Sequence, residues 1–404
     1  MSESRLMPRL LVLASTYPRW DGDHEPGFVH ELCKRLADNF DVTVLCPHAP
    51  GASASEVLDG VRIVRYRYAA ESLETLVNDG GIVTNLRLHP WKFLLVPSFV
   101  LAQAWAAWKL VRRNRIQVIH AHWLLPQGLI ATLLKAVTGT PYLVTSHGAD
   151  LYALRARPLQ ALKRLVARKA AAITVVSGAM RQRMNELGVD ASRIRVQPMG
   201  VDMEQRFIPD PTVQRSTRDI LFVGRLVEKK GLAHLLAALP RVLQRVPDAR
   251  LTIAGFGPGE SEARALIQSL GLGQAVHLRG ALPQSQLPQL YRSATLFVAP
   301  FIRACSGDEE GLGLVLVEAI ACGCPVLAGN VPALVEVLGE ENMDVAVDPW
   351  DHAVLADRIV AVLMDPELAA NRAERLRRDL GKRLDWSAVA DGYSRILGRV
   401  AKGH

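Results

Sequence analysis

Cysteine is scarce in this sequence, with five residues in 404. The number is odd, and Cys322 and Cys324 stand two apart, a spacing that suits neither a redox pair nor a zinc knuckle. A disulfide-built fold is excluded, and a reduced, cytoplasmic protein is the expectation. Long hydrophobic runs are missing as well. The first eighteen residues hold one apolar run of five, Leu10 to Ala14, too short for the core of a secretory leader, and no small-residue cleavage site follows. The longest uncharged stretch, Phe93 to Trp108, has sixteen residues and contains Pro97 and Gln103. That falls short of the roughly 20 apolar residues of a spanning helix. An integral membrane protein is therefore not expected, while contact with a membrane surface stays open. Low-complexity tracts and close internal repeats are absent too.

What is present is ordinary for a soluble globular chain: 49% hydrophobic and 22% charged residues. With roughly 100–200 residues to a domain, two domains are expected. Charge is uneven. Residues 1–205 hold 25 Lys and Arg against 17 Asp and Glu, whereas residues 206–404 hold 23 of each, so the whole net charge of +8 sits in the first half. Halves of such different charge meet different partners. Nucleic acid is not expected among them, since the basic residues are scattered and no stacking platform accompanies them.

Short apolar runs alternate with amphipathic stretches. Leu10–Ala14, Val42–Cys46, Val118–His120, Tyr142–Thr145 and Ile173–Val176 predict buried parallel strands, with helices over Phe28–Leu36, Gln127–Val137 and Leu159–Ala170. The pattern breaks at Met203–Arg218, a charged stretch with two prolines that reads as a linker. It then resumes with strands over Ile220–Val223, Leu251–Ala254, Val276–Leu278, Leu296–Ala299 and Val326–Ala328, and helices over Leu232–Val246 and Leu312–Cys322. The fold class is α/β: two doubly wound, Rossmann-like parallel-sheet domains facing a cleft. In such sheets ligands bind beyond the carboxyl ends of the strands, so chemistry is sought just after each strand.

After Ile220–Val223 come Gly224, Arg225 and, five residues later, Lys230. Arg supplies a planar fork for phosphate oxygens and Lys a point charge. A solvated turn with surface cations fits the same spacing. The next strand ends in Gly255-Phe256-Gly257-Pro258-Gly259, half of a dinucleotide fingerprint and equally a plain turn. The segment Glu310-Gly311-Leu312-Gly313 opens a helix that carries Glu318 eight residues on, about 12 Å away if all helical. Free N–H groups at a helix start suit a diphosphate. Two carboxylates so spaced can grip opposite ends of a ligand by its hydroxyls. A capping Glu310 and a Glu318 paired with a neighbouring cation are the alternative.

Taken together, these motifs resemble glycosyltransferase family 4, the retaining nucleotide-sugar transferases of the GT-B fold. The matching segments are GRLVEKKG (224–231), AGFGPGE (254–260), HLRG (277–280) with LYRSA (290–294), and EGLGLVLVEAIACGCPVLAG (310–329). The first half is similar to the acceptor domain of that family at GFVHELCKRL (27–36), HAHWLLPQG (120–128) and SHGAD (146–150), and RLDWSAVADGYSRIL (383–397) is similar to its closing helix. The resemblance implies an acceptor domain over 1–205, with 386–404 packed back on it, and a donor domain over 206–385. It implies that Arg225 and Lys230 bind the donor diphosphate, that Gly311, Leu312 and Gly313 offer backbone N–H groups, and that Glu318 holds the ribose. Glu310 and His147 are the implied catalytic groups, acting by position and charge at the transferred sugar, while the leaving phosphate takes the acceptor's proton. Double displacement through Glu310 is the alternative. Gly27 and Gly255 are implied on the donor, and Asp150 and His122 near the acceptor. Departures from the family pattern fall at Gly329–Glu336, beside the donor sugar, and at Met343–Val347, which reads as a turn variant.

No metal or other cofactor is expected. Asp21-Gly-Asp23 matches the manganese pattern of the other major glycosyltransferase fold, yet it lies in the first loop and reads as a mobile polar segment. His120, His122 and His147 have no Cys or acidic partner at ligand spacing. Trp91, Trp105, Trp108, Lys109, Arg112, Arg113 and Arg115 form an aromatic stretch with a basic end, which suits either an anionic membrane surface or a core helix with a solvated last turn. The expected function is hexosyl transfer from a nucleotide-sugar, UDP-sugar before GDP-mannose, to a hydroxyl of a lipid-linked glycan in exopolysaccharide or surface-polysaccharide assembly. The place is the cytoplasm, at the inner face of the membrane. The alternatives are a transferase making a soluble glycoside or sugar-phosphate disaccharide, and a partner subunit that binds donor without catalysis.

Overall fold

The structure, a computed structural model, describes residues 7–403 except 24, 26, 79, 80 and 154. Residues 1–6, the start of the stretch weighed as a leader, lie outside the described residues. The chain divides into two compact units, Met1–Met199 with Val389–His404, and Gly200–Ala388. The divisions thus fall at 199/200 and 388/389, where the sequence suggests 205/206 and 385/386.

The first unit is built on eight strands: β1 Arg9–Leu13, β2 Asp41–Pro47, β3 Ser55–Leu58, β4 Val61–Tyr66, β5 Val118–His122, β6 Tyr142–Ser146, β7 Ala172–Val175 and β8 Ile194–Val196. Their order is β3-β4-β2-β1-β5-β6-β7-β8, and only the edge pair β3–β4 is antiparallel. Central strands covered on both faces need continuous apolar runs. Leu10 to Leu13 are accordingly fully buried and pair in register with Val42–Leu45 on one side and Val118–Ala121 on the other. The second unit has six parallel strands: β9 Asp219–Val223, β10 Arg250–Ala254, β11 Val276–Gly280, β12 Leu296–Ala299, β13 Val326–Gly329 and β14 Ala346–Val347. Their order is β11-β10-β9-β12-β13-β14. β14 occupies the stretch read as a turn variant, because Gly329 and Val347 pair and Asn330 N–H donates to Val347 O at 3.0 Å.

Each sheet reverses its strand order at one place, between β1 and β5 and between β9 and β12. Such reversals leave a crevice beyond the carboxyl ends of the strands. The segment read as a linker is instead held on the second unit. Arg292 donates to the carbonyls of Arg206 and Ile208, and Arg215 to those of Ala294 and Gly323. Asp385 ties in the chain's return by accepting from Met203 N–H at 3.1 Å. The helix Trp386–Ala401 enters the first unit at Val389, and there Tyr393 anchors it, its hydroxyl donating to Gln197 O at 2.8 Å.

The helix Leu95–Arg113 follows a single-turn segment, Pro90–Leu94. Together they make 24 residues, long and apolar enough by length and composition to cross a bilayer, with 28% of the most apolar window buried. The sequence suggests a shorter stretch because Lys92 interrupts it. That side chain is buried, donating to Thr75 O and Asn85 Oδ1 at 2.9 Å each. One face of the helix, Leu95, Phe99, Gln103, Ala107 and Val111, is buried in the first unit. A helix with one face docked on its own sheet lies along the domain surface.

Candidate active site

The loop after β9 turns at Gly224 and brings Lys230 against Glu310, with Nζ donating to Oε2 at 2.6 Å. Both side chains are largely buried. The Lys230 ammonium also stands 3.8 Å from the centroid of the Phe301 ring, whose face attracts a cation. Burial pushes the Glu310 carboxyl up. The charges of Lys230 and Lys229 and the Gly311 N–H outweigh that and hold it at about 2. Burial pulls Lys230 down, opposed by Glu310 and reinforced by Arg225, whose charge is near enough to be felt. Lys229 turns to Asp308, 3.3 Å away, and to Glu309 O. Lys230 and Glu310 therefore meet at the reversal point of the second sheet, with the charge of Arg225 acting on Lys230.

The sequence suggests a helix from Leu312. It starts at Leu314, because Gly313 adopts φ +83°, and a Cβ there would lie 2.4 Å from a Leu334 methyl. Glu310 thus lies before the helix, and the all-helical 12 Å spacing to Glu318 does not apply. Gly311, Leu312 and Gly313 are buried and lead into the helix N-terminus, the positive end of its dipole. Glu318 lies on the helix Leu314–Ala321, 5% exposed, and accepts from the Tyr291 hydroxyl at 3.0 Å. Burial pushes its carboxyl up to about 7, against the lowering effects of Tyr291, Gln284 and Arg206. Gly255 has a packing reason to be glycine: at φ +153° its Cβ would lie 1.9 Å from Gly224 O, so the loops after β9 and β10 touch there.

In the first unit, β5 ends in His120 and His122, and β6 leads into His147. His122 Nδ1 and His147 Nε2 are 2.9 Å apart, and their rings lie parallel within 9°. The His120 ring lies behind His122, centroids 4.1 Å apart and tilted by 37°, and its Nε2 meets Thr145 Oγ1 at 2.8 Å. Phe28 and Trp123 each stand 5.1 Å from the His147 ring. Burial drives all three imidazoles down, His120 and His147 to about 3, so the file is neutral. Gly27 sits at the N-cap of the helix Phe28–Leu36, which carries Phe28 to this cluster. Asp150 is buried with its carboxylate turned into the fold. It accepts from Leu124 N–H at 2.8 Å, Ser146 Oγ at 3.0 Å, His147 N–H at 3.1 Å and Gly148 N–H at 3.2 Å.

Asp23, read as part of a mobile polar loop, is instead buried and paired with Arg19, with Oδ1 2.6 Å from Nη2. Sequence reasoning did not single out Phe301, Tyr291, Phe28 or Trp123. Tyr291, Phe28 and Trp123 stand inside quoted motifs, where a signal existed. Phe301 stands two residues past the end of β12, at a carboxyl strand end where partners of a ligand site are to be sought.

Known proteins match along most of the chain. The family model described as Glycosyltransferase Family 4 matches residues 28–205, and the one described as Glycosyl transferases group 1 matches residues 204–379. A phosphatidyl-myo-inositol mannosyltransferase of Mycobacterium tuberculosis is 32% identical over 393 residues, covering 93% of this chain and 94% of that protein. A GDP-mannose-dependent alpha-(1-6)-phosphatidylinositol monomannoside mannosyltransferase of the same organism is 25% identical, covering 95% and 96%. Among solved structures, sucrose-phosphate synthase from Thermosynechococcus elongatus superposes with a TM-score of 0.80 at 21% identity, covering 98% of this chain and 100% of that one. The fold is GT-B, and the chain belongs to glycosyltransferase family 4, as a glycosyltransferase that uses a nucleotide-sugar donor.

Proposed function

We propose that the protein is a retaining, metal-independent hexosyltransferase that extends a lipid-linked glycan at the face of an anionic membrane, in exopolysaccharide or surface-polysaccharide assembly. The observation that carries the lipid-linked acceptor is the outer face of Pro90–Arg113. Leu94 is 81% and Leu101 69% exposed, and Trp91, Phe93 and Trp105 stand out beside them. The Trp105 and Trp108 rings stack at 5.0 Å, with Lys109 Nζ 4.8 Å from Trp105 and Arg112 5.8 Å from Trp108. An apolar stripe that ends in cations suits an interface with anionic lipid. The net charge of +8 in residues 1–205 favours the same surface, and two relatives are named for phosphatidylinositol acceptors.

On this reading Arg225, Lys230 and the start of Leu314–Ala321 stabilise the charge that grows on the leaving diphosphate, with no reorganisation at the moment of transfer. Glu310 and His147 meet the transferred sugar, and Glu318 takes the ribose hydroxyls. On the same reading Gly27 lets the first loop approach the donor phosphates. UDP-sugar is the first donor to test. GDP-mannose is a second reading, favoured by the relative named as GDP-mannose-dependent.

Flotation with phosphatidylglycerol vesicles tests the membrane reading. The protein is expected to rise with them, and Leu101→Asp with Trp105→Asp to stay behind. Turnover on a soluble sugar phosphate without vesicle binding would overturn it in favour of a soluble acceptor. Retention is checked by the anomeric configuration of the product, and metal independence by full turnover in chelator.

A further inference from the structure

The histidine file holds two buried nitrogens, His120 Nδ1 and His122 Nε2, that meet no hydrogen-bond partner among the described residues. A buried N–H without a partner is rarer and costlier than a bare acceptor nitrogen. The proton of each neutral ring therefore belongs on its other nitrogen. For His120 that is Nε2, donating to Thr145 Oγ1 at 2.8 Å, which in turn meets Thr174 Oγ1 at 2.6 Å. For His122 it is Nδ1, which faces His147 Nε2 at 2.9 Å. One short contact between two neutral imidazoles holds one proton. If His122 supplies it, His147 Nε2 is the acceptor, and His147 must carry its own proton on Nδ1.

We infer that His122 is a positioning residue that locks His147 as an Nδ1–H tautomer, so that His147 serves as a fixed neutral donor and not as a general base. With Nε2 engaged and Nδ1 protonated, the His147 ring has no free lone pair to take a proton. Its remaining polar function is to donate from Nδ1 to a hydroxyl or phosphate oxygen. The backbone keeps the pair in register. Asp150 accepts from Leu124 N–H after β5 and from His147 and Gly148 N–H after β6, so the two strand ends that carry His122 and His147 are tied through one carboxylate. Phe28 and Trp123 close on the His147 ring. His122 is thereby reassigned from the acceptor to its neighbour. The role of the locked donor rests on His147 belonging to the transferase site; the tautomer itself does not.

The full chain labelled with [15N]histidine tests the inference by long-range proton–nitrogen correlation, which separates a protonated from a bare ring nitrogen. No sugar is needed, so failure here is distinct from failure of the transferase reading. The His147→Gln variant identifies the His147 signals. His147 is expected to show protonated Nδ1 and bare Nε2, the reverse of the form free imidazole side chains favour in water. His122→Asn, whose amide N–H can still donate, is expected to keep that pattern. His122→Asp, which only accepts, is expected to move the His147 proton to Nε2. A wild-type spectrum with His147 protonated at Nε2 overturns the inference, whatever the variants do.

Discussion

At the ends of β9 and β12 the side chains that face one another are charged. Lys230 and Glu310 sit 2.6 Å apart beside Arg225 and Lys229, and the carboxyl is held down at about 2. At the ends of β5 and β6 they are neutral. Three imidazoles lie in file, two of them driven down to about 3 by burial, and nearby Asp150 is occupied by backbone and serine donors. Two sheets of one type have been given opposite electrostatic plans. Burial acts on both. In the second unit enough cations converge to keep an acid ionised, and in the first no comparable anion reaches the histidines. A charged site can stabilise charge that appears during reaction, whereas a neutral one can orient hydroxyls without competing for protons.

The largest test of that contrast is the transfer reaction itself. Lys230→Ala removes the counter-charge of Glu310 and is expected to lower kcat/KM by about 100- to 1,000-fold. His147→Ala removes one neutral donor, worth about 1 kcal/mol or a few-fold to tenfold. Circular dichroism melts of both variants control for folding. A His147→Ala loss as large as that of Lys230→Ala would break the comparison, and would mean that the histidine side handles charge after all.

Acidification gives a second, smaller contrast. A buried histidine whose pKa is lowered by folding contributes stability that is present above the unfolded value and lost as pH falls below it. For His120 and His147, at about 3 in the fold, the loss between pH 8 and pH 5 is about 2 kcal/mol each. Glu318 works the other way: its carboxyl, up at about 7, is unfavourably charged at pH 8 and relieved at pH 5. Hydrogen exchange at the two pH values should show amides of 118–122 and 142–147 losing protection on acidification, while those of 314–321 hold or gain. Parallel behaviour of the two units would remove the electrostatic distinction.

Much of this was legible beforehand. Central strands such as β1 and β12 announce themselves as unbroken apolar runs because both faces are covered. β4 was not expected, since Arg62 and Arg65 interrupt Val61–Tyr66; Arg65 is nevertheless buried, bonded to Glu56 and to the carbonyls of Pro18 and Ser53. The Glu310 and Lys230 motifs were readable, but their contact joins residues 80 apart and depends on the loops after β9 and β12 meeting. The three histidines were visible as letters. Only the pairing of β5 with β6, His122 opposite Thr145, brings His147 up to the other two and makes a file of neighbouring rings. The protonation states were hidden for a simpler reason: burial sets them, and burial is a property of the packed fold.

Glu318 is the place where the two plans meet within one unit. It lies on an apolar helix eight residues beyond Glu310, yet its carboxyl is pushed up to about 7 where that of Glu310 is held at about 2. The difference is in the partners. Glu310 has Lys230 on it, whereas Glu318 has the Tyr291 hydroxyl at 3.0 Å. A raised acid destabilises the fold once pH exceeds its unfolded value, and the loss grows until pH passes the folded one. Glu318→Gln is therefore expected to raise stability by about 2–3 kcal/mol at pH 8 and by under about 1 kcal/mol at pH 5, read from urea melts. The same substitution should weaken nucleoside diphosphate binding if the carboxylate accepts from the ribose hydroxyls. Because those hydroxyls favour the ionised acid, wild-type affinity for UDP or GDP should rise up to about tenfold between pH 6 and pH 8, with proton release on binding seen by calorimetry in two buffers. Affinity that is flat with pH, together with an unstabilised Glu318→Gln, would show that this carboxylate is already ionised and that the second unit is charged throughout.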